Sequence, residues 1–296
     1  MYDQISSNKF RSGVLIVVFM SLVALVGWVF GRFTGFGNWG LAIALAIALV
    51  MAWSSYWYSD KLVLAISHAR PVGKETEPYI VNTVEGLAIA AGLPVPAAYV
   101  IDDPAPNAFA TGRDPEHAAI AVTTGLIQKM DRLELEGVIA HELSHVKNYD
   151  TLVSTLVVVL AGTIALLSDW MLRSFWWGGG RRRSNDGGGE FGAVFVVAGL
   201  VLAILAPLVA VLIQMAISRK REYLADANGA LLTRYPPGLA SALRKITNDP
   251  SPLRVANKAT AALYIENPLR DHGGRINALF DTHPPIEERI KRLEAM

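Results

Sequence analysis

Long apolar stretches alternate with polar ones along the chain, and that alternation predicts its layout. Residues 13–30 and 33–59 carry no charge. Each is about long enough to cross a hydrocarbon core of roughly 30 Å as a helix. Trp53, Trp57 and Tyr58 close the second stretch, where interfacial aromatic rings belong. A third stretch, 152–168, is shorter and meets Asp169; a fourth, 191–218, is uncharged and contains Pro207, which should kink it. The predicted spans are about 13–30, 37–58, 152–171 and 193–217. The first stretch is long for the apolar core of a signal peptide, lacks a clear small-residue cleavage site, and is followed by a second apolar run. The first two therefore read as an uncleaved hairpin.

The intervening polar segments show shorter periods. Residues 79–91 place apolar side chains at helical spacing and end at Gly92, Leu93 and Pro94. Residues 97–101, 108–111 and 118–123 read as short strands, the last two joined through Gly112 to Pro115. Asp131 and Glu134 form a capping-box pattern that opens a helix running through His145. The segment 219–296 reads as mostly helical, with a final helix near 286–295, while 178–189 has the composition of a flexible loop. The expected fold class is α+β, mainly α-helical, in an integral membrane protein. Residues 1–59 form a transmembrane hairpin, and 60–151 and 219–296 form two parts of one domain. A second hydrophobic hairpin, 152–218, interrupts that domain.

Composition narrows the function classes. Of 296 residues, 52% are hydrophobic, which is high for a soluble chain. The net charge of +1 speaks against a nucleic-acid partner, which calls for a strong basic excess. The absence of cysteine excludes disulfides, a thiol nucleophile and a Cys-based metal site. Apolar runs nearly free of charge also disfavour a transporter, which needs ionisable groups within its spans. Nothing in the sequence specifies an oligomeric state.

The candidate chemistry lies in the capped helix. His141, Glu142 and His145 form H-E-x-x-H. Residues four apart share a helical face, so both imidazoles reach one ion from a rigid element. Zn²⁺ takes His nitrogens and, in catalytic sites, keeps a position open. Glu142 stands beside that position as a general base. The alternative is a solvated helix with two surface histidines. Val138, Ile139, Ala140, Leu143 and Val146 oppose it, since they make a helix whose burial would leave unpaired polar groups costly. A third protein ligand is still required. Glu222 is the candidate, and Asp226 shares its helical face. One carboxylate can bind metal while the other holds the second nitrogen of a ligating His. The competing reading of Glu222 is a charged residue just beyond a span.

His141-Glu-x-x-His145 followed by Glu222-Tyr-Leu-Ala-Asp226 resembles the HtpX family of membrane metalloproteases, relatives of the CAAX prenyl proteases. The resemblance runs over nearly the whole chain. It implies a gluzincin-like domain with Zn²⁺ held by His141, His145 and Glu222, and Glu142 as catalytic base. Asn107, Ala108 and Phe109 resemble the family's N-A-F-A segment, an edge strand lining the cleft where an extended substrate adds; the plainer reading is a turn into a hairpin. Asp150 either supports the site or ends the helix near the membrane. The late segment from Thr282 through His283 to Arg289 resembles the family's His-Pro segment. There His283 either contacts the peptide or oxyanion, or caps the last helix. His68, His117 and His272 lack partners at ligand spacing.

One ion cannot be held from both sides of a bilayer, so the chain between His145 and Glu222 crosses an even number of times or not at all. Lys9, Arg11, Lys61, Arg70, Lys74, Lys147, Arg219, Lys220 and Arg221 lie on the side of the site; Arg32, Arg173 and residues 181–183 lie on the other. That bias places the site in the cytoplasm of a bacterial plasma membrane, with the arginine triplet departing from the rule. The expected partners are the lipid bilayer and polypeptide substrates, chiefly damaged membrane proteins. A prenyl-protein processing protease is the alternative enzyme, disfavoured by having only four candidate spans. A scaffold is the non-enzymatic one.

Overall fold

A computed structural model describes residues 2–33, 37–160, 219–254, 260–266 and 284–296. The later part of the third hydrophobic run, the whole fourth run, the 178–189 segment, His272 and His283 lie outside the described residues.

Two long helices open the chain, α1 (Tyr2–Phe33) and α2 (Asn38–Ile66). Both are long and apolar enough to cross a membrane. On α2 the buried positions are Ala44, Ala48, Ala52, Ser55 and Ser59. They form one stripe of small residues, the kind that lets helix backbones approach closely in lipid, and α1 packs against α2. Trp39, Ile43, Ile47, Val50 and Trp53 are exposed. The helix does not stop with the apolar run at Ser59. It continues to Ile66 and delivers Val63 and Leu64 into a core shared with Ile101 and Phe109. The membrane pair and the polar domain thus share one unbroken helix.

The domain contains a four-stranded sheet in the order β1-β2-β4-β3. Its strands are β1 (Arg70–Pro71), β2 (Ala97–Ile101), β3 (Ala108–Thr111) and β4 (Ala119–Thr123). β2 and β4 run parallel, and the other pairs are antiparallel. Alternate residues feed two cores. Val100, Ala108, Ala110, Ile120 and Val122 pack with α3 (Pro78–Ala91) and α5 (Arg132–Lys147). Ile101, Phe109, Ala119 and Ala121 pack with the end of α2 and with Tyr264. Two elements escape the sequence pattern. β1 is too short to alternate, and α4 (Thr124–Lys129) is one short turn capped by Thr123, whose Oγ1 accepts from the Leu126 N–H at 3.1 Å. Beyond α5 come α6 (Asp150–Leu160), α7 (Arg219–Thr233), α8 (Pro236–Asn248) and α9 (Ile286–Glu294).

Glycines set the helix spacing around α5. A Cβ on Gly137 would lie 2.7 Å from the Leu239 nitrogen of α8. A Cβ on Gly229 of α7 would lie 3.1 Å from the His141 nitrogen. These close approaches seat α7 directly over the motif histidine.

Candidate metal centre

The capping box that predicts α5 is present. The Glu134 N–H donates to Asp131 Oδ1 at 3.0 Å, and the Asp131 N–H donates to Glu134 Oε2 at 2.8 Å. From that fixed start α5 runs under the sheet and buries His141 and Glu142 almost completely. It ends at Lys147, and Tyr149 adopts the left-handed conformation, with φ of 60°. That turn redirects the chain so that α6 opens at Asp150, beside the last turn of α5.

α7 crosses α5 and brings Glu222 to the two histidines. The His141 and His145 Nε2 atoms are 3.1 Å apart. Glu222 Oε2 is 3.7 Å from His141 Nε2, and Oε1 is 3.5 Å from His145 Nε2. The remaining ring nitrogens face carboxylates. His141 Nδ1 lies 2.9 Å from Asp226 Oδ1, and His145 Nδ1 lies 3.1 Å from Asp150 Oδ2. These partners assign a proton to each Nδ1 and turn both Nε2 lone pairs toward Glu222.

The donor set fits a tetrahedral ion. Bonds of about 2.0–2.1 Å require ligand atoms about 3.4 Å apart. The two nitrogens lie 3.1 Å apart, near that edge, each histidine has a different Glu222 oxygen within 3.7 Å, and one donor atom from each residue can be chosen so that all three lie within 4.8 Å of one another. Two neutral Nε2 atoms and a carboxylate facing one another at this range repel unless a proton or a metal cation lies between them. Among the described residues this is the group of three that could hold a metal ion.

Charge balance supports the same conclusion. Burial by itself lowers the His145 pKa, but Asp150, Glu222 and Glu142 outweigh it and push it up to about 9. Such a response marks a surplus of negative charge, which a divalent cation would neutralise. Burial raises the Glu142 pKa above the ordinary carboxylate range, against the pull of His141 and His145. The Ala110 N–H of β3 also donates to Glu142. A carboxyl whose burial favours its protonated form is suited to receiving a proton.

Arg289 of α9 completes the wall and is fully buried. Its Nε and one terminal nitrogen donate to Asp226 at 2.8 and 2.7 Å. Burial raises the Asp226 pKa, but the Arg289 charge and the hydrogen bonds from Arg289 and His141 overcome it and bring it down to about 2. Asp226 therefore stays ionised and keeps His141 oriented.

The N-A-F-A segment lies on β3, at the edge of the sheet. The Ala108 carbonyl accepts from the Ile265 N–H at 2.9 Å, and the Asn107 amide donates to the Glu266 carbonyl at 3.1 Å. Phe109 is buried edge-on against Tyr264, with ring centroids 5.1 Å apart. This part of the edge is thus taken by the chain's own 264–266 segment. His117 sits apart from the site, with Nδ1 2.6 Å from Asp114. Sequence reading did not single out Asn8 or Gly229, and it saw Arg221 only as a membrane-flanking charge. Arg221 had one usable signal, its place next to Glu222.

A domain carried on apolar helices, with a buried His–His–Glu cluster between two crossing helices, defines a membrane metallohydrolase. Comparison with known proteins makes the class specific. The model for peptidase family M48 matches residues 74–296. A "Protease HtpX homolog" from Dictyoglomus thermophilum is 48% identical over 295 residues, covering 100% of this chain and 94% of that protein. Another from Lactobacillus helveticus is 47% identical, covering 100% of both chains. The crystal structure of S. mikatae Ste24p shares the fold at a TM-score of 0.50 and 18% identity, over 99% of this chain and 67% of that one. The chain belongs to peptidase family M48 and is a membrane-bound metalloprotease acting on polypeptides.

Proposed function

We propose that this chain is a zinc endopeptidase of the bacterial plasma membrane, working at the cytoplasmic face on damaged or misfolded membrane proteins. His141, His145 and Glu222 hold the ion. The observation that carries the reading is the convergence of His141, His145 and Glu222, one donor atom from each within 4.8 Å of the others, with both histidines backed by carboxylates. Two nitrogens and one oxygen suit Zn²⁺, whose Lewis acidity activates water and polarises a carbonyl when it is bound. Glu142 takes a proton from the attacking water on its carboxylate and delivers it to the leaving amine nitrogen. Asp226 and Asp150 hold the imidazoles in the tautomer that leaves Nε2 for metal. Arg289 keeps Asp226 ionised. Substrates embedded in the bilayer fit a domain joined to α2 without a linker.

The test uses purified, detergent-solubilised full-length protein and an unfolded substrate protein. Wild type should cleave it, chelation should stop cleavage, and zinc should restore it. Glu142→Gln should lose at least about a hundredfold in rate, the lower range for a general base, while still binding zinc. Cleavage by Glu142→Gln at the wild-type rate would refute the assignment and bring the scaffold reading forward.

A further inference from the structure

The first membrane helix reaches into the metal site. Asn8 lies on α1 and is 1% exposed. Its amide nitrogen donates to the Asn148 carbonyl at 2.8 Å and to Asp150 Oδ1 at 2.7 Å. Its amide oxygen accepts from Arg221 at 3.2 Å. Arg221 also donates to the same Asp150 oxygen at 3.1 Å. One side chain of α1 therefore joins three places: the end of α5, the start of α6, and the residue before Glu222. Lys9 adds a second contact, its ammonium 4.5 Å from the centre of the Tyr149 ring.

The two oxygens of Asp150 have separate partners. Oδ1 is held by Asn8 and Arg221, and Oδ2 faces His145 Nδ1 at 3.1 Å. A carboxylate fixed through one oxygen presents the other at a set angle. We propose that Asn8 is a positioning residue for the metal site: through Asp150 it fixes the His145 ring, and so ties metal affinity to the seating of the first membrane helix. Packing of α1 against the α5–α6 corner then becomes part of the site, although α1 supplies no ligand.

This inference rests on His145 being a metal ligand, and the experiment separates the two. Zinc affinity of the full-length protein in detergent is measured by competition with a colorimetric chelator. His145→Ala tests the ligand assignment: it should abolish tight binding, and unchanged affinity would overturn the site itself. Asn8→Ala should fill to the same zinc stoichiometry at saturation but bind about tenfold more weakly, the lower end for partners beyond the ligands. Asn8→Leu restores volume without hydrogen bonds and should bind no better than Asn8→Ala. In an Asp150→Ala background, Asn8→Ala should change affinity by less than about twofold, because the route through Asp150 is already gone. Wild-type affinity in Asn8→Ala or Asn8→Leu overturns the proposal. So does a full tenfold loss in the Asp150→Ala background, or an Asn8→Ala protein that holds no zinc at any concentration.

Discussion

α2 and α5 are built as opposites. α2 turns Trp39, Ile43, Ile47, Val50 and Trp53 outward and buries alanines and serines. α5 buries His141, Glu142 and Ser144 and has little large apolar surface exposed. Each arrangement would be costly in the other's surroundings. Exposed tryptophan, isoleucine and valine suit a helix whose solvent is lipid, where association depends on close backbone approach rather than on hiding apolar surface. Buried histidine and carboxylate suit a helix whose interior neighbours supply polar partners, as Asp226 and Asp150 do for the two histidines here. The same chain therefore solves two solvation problems, and α2 joins the solutions by running from one into the other.

The contrast can be broken from the α5 side first. Arg289→Ala would leave the Asp226 carboxylate buried without its cation, and should cost about 3–5 kcal/mol of stability. Thermal or denaturant unfolding of the solubilised protein would show it; an unchanged midpoint would mean that Asp226 does not depend on Arg289. From the α2 side, Val50 is 66% exposed. In water Val50→Arg would be nearly neutral. In a membrane it should cost about 2.5–3.5 kcal/mol near the helix centre, read as a fall in the membrane-inserted fraction. Full insertion of that variant would deny α2 its lipid solvent.

A smaller effect comes from acid. Asp226 titrates near 2 in the folded protein against an ordinary 3.8. Because its folded pKa is depressed, its contribution is present above about pH 4 and is lost as pH falls from there through 2. A shift of that size is worth on the order of 2 kcal/mol. Asp226→Asn should therefore show a shallower loss of stability between pH 4 and 2 than wild type. Equal slopes would place the acid sensitivity elsewhere.

What could be read from the sequence was local. The capping box at Asp131, the H-E-x-x-H face and strands β2 and β3 depend on residues within a few positions of one another, so their spacing carries the signal. Asp226 was expected behind a motif histidine, and it faces His141 at 2.9 Å. Asp150 was left between supporting the site and ending the helix; it faces His145, while α5 ends at Lys147 and Asp150 opens α6. Asn8 was invisible because its partners Asp150 and Arg221 lie 142 and 213 positions away. A lone asparagine before an apolar run has no pattern of its own. The capture of the Ala108 carbonyl by Ile265 was hidden for the same reason, since no periodic segment announces 260–266.

The central claim is that His141, His145 and Glu222 hold one catalytic zinc. Zinc-edge X-ray absorption on purified Glu142→Gln protein tests it most directly, because that variant keeps all three ligands. The expected result is about one zinc per chain, with nitrogen and oxygen neighbours near 2.0–2.1 Å and the scattering of two imidazoles. Replacing Glu222 with Ala should remove most of the bound metal. Zinc held with a single imidazole, or retained undiminished after Glu222→Ala, would contradict the account.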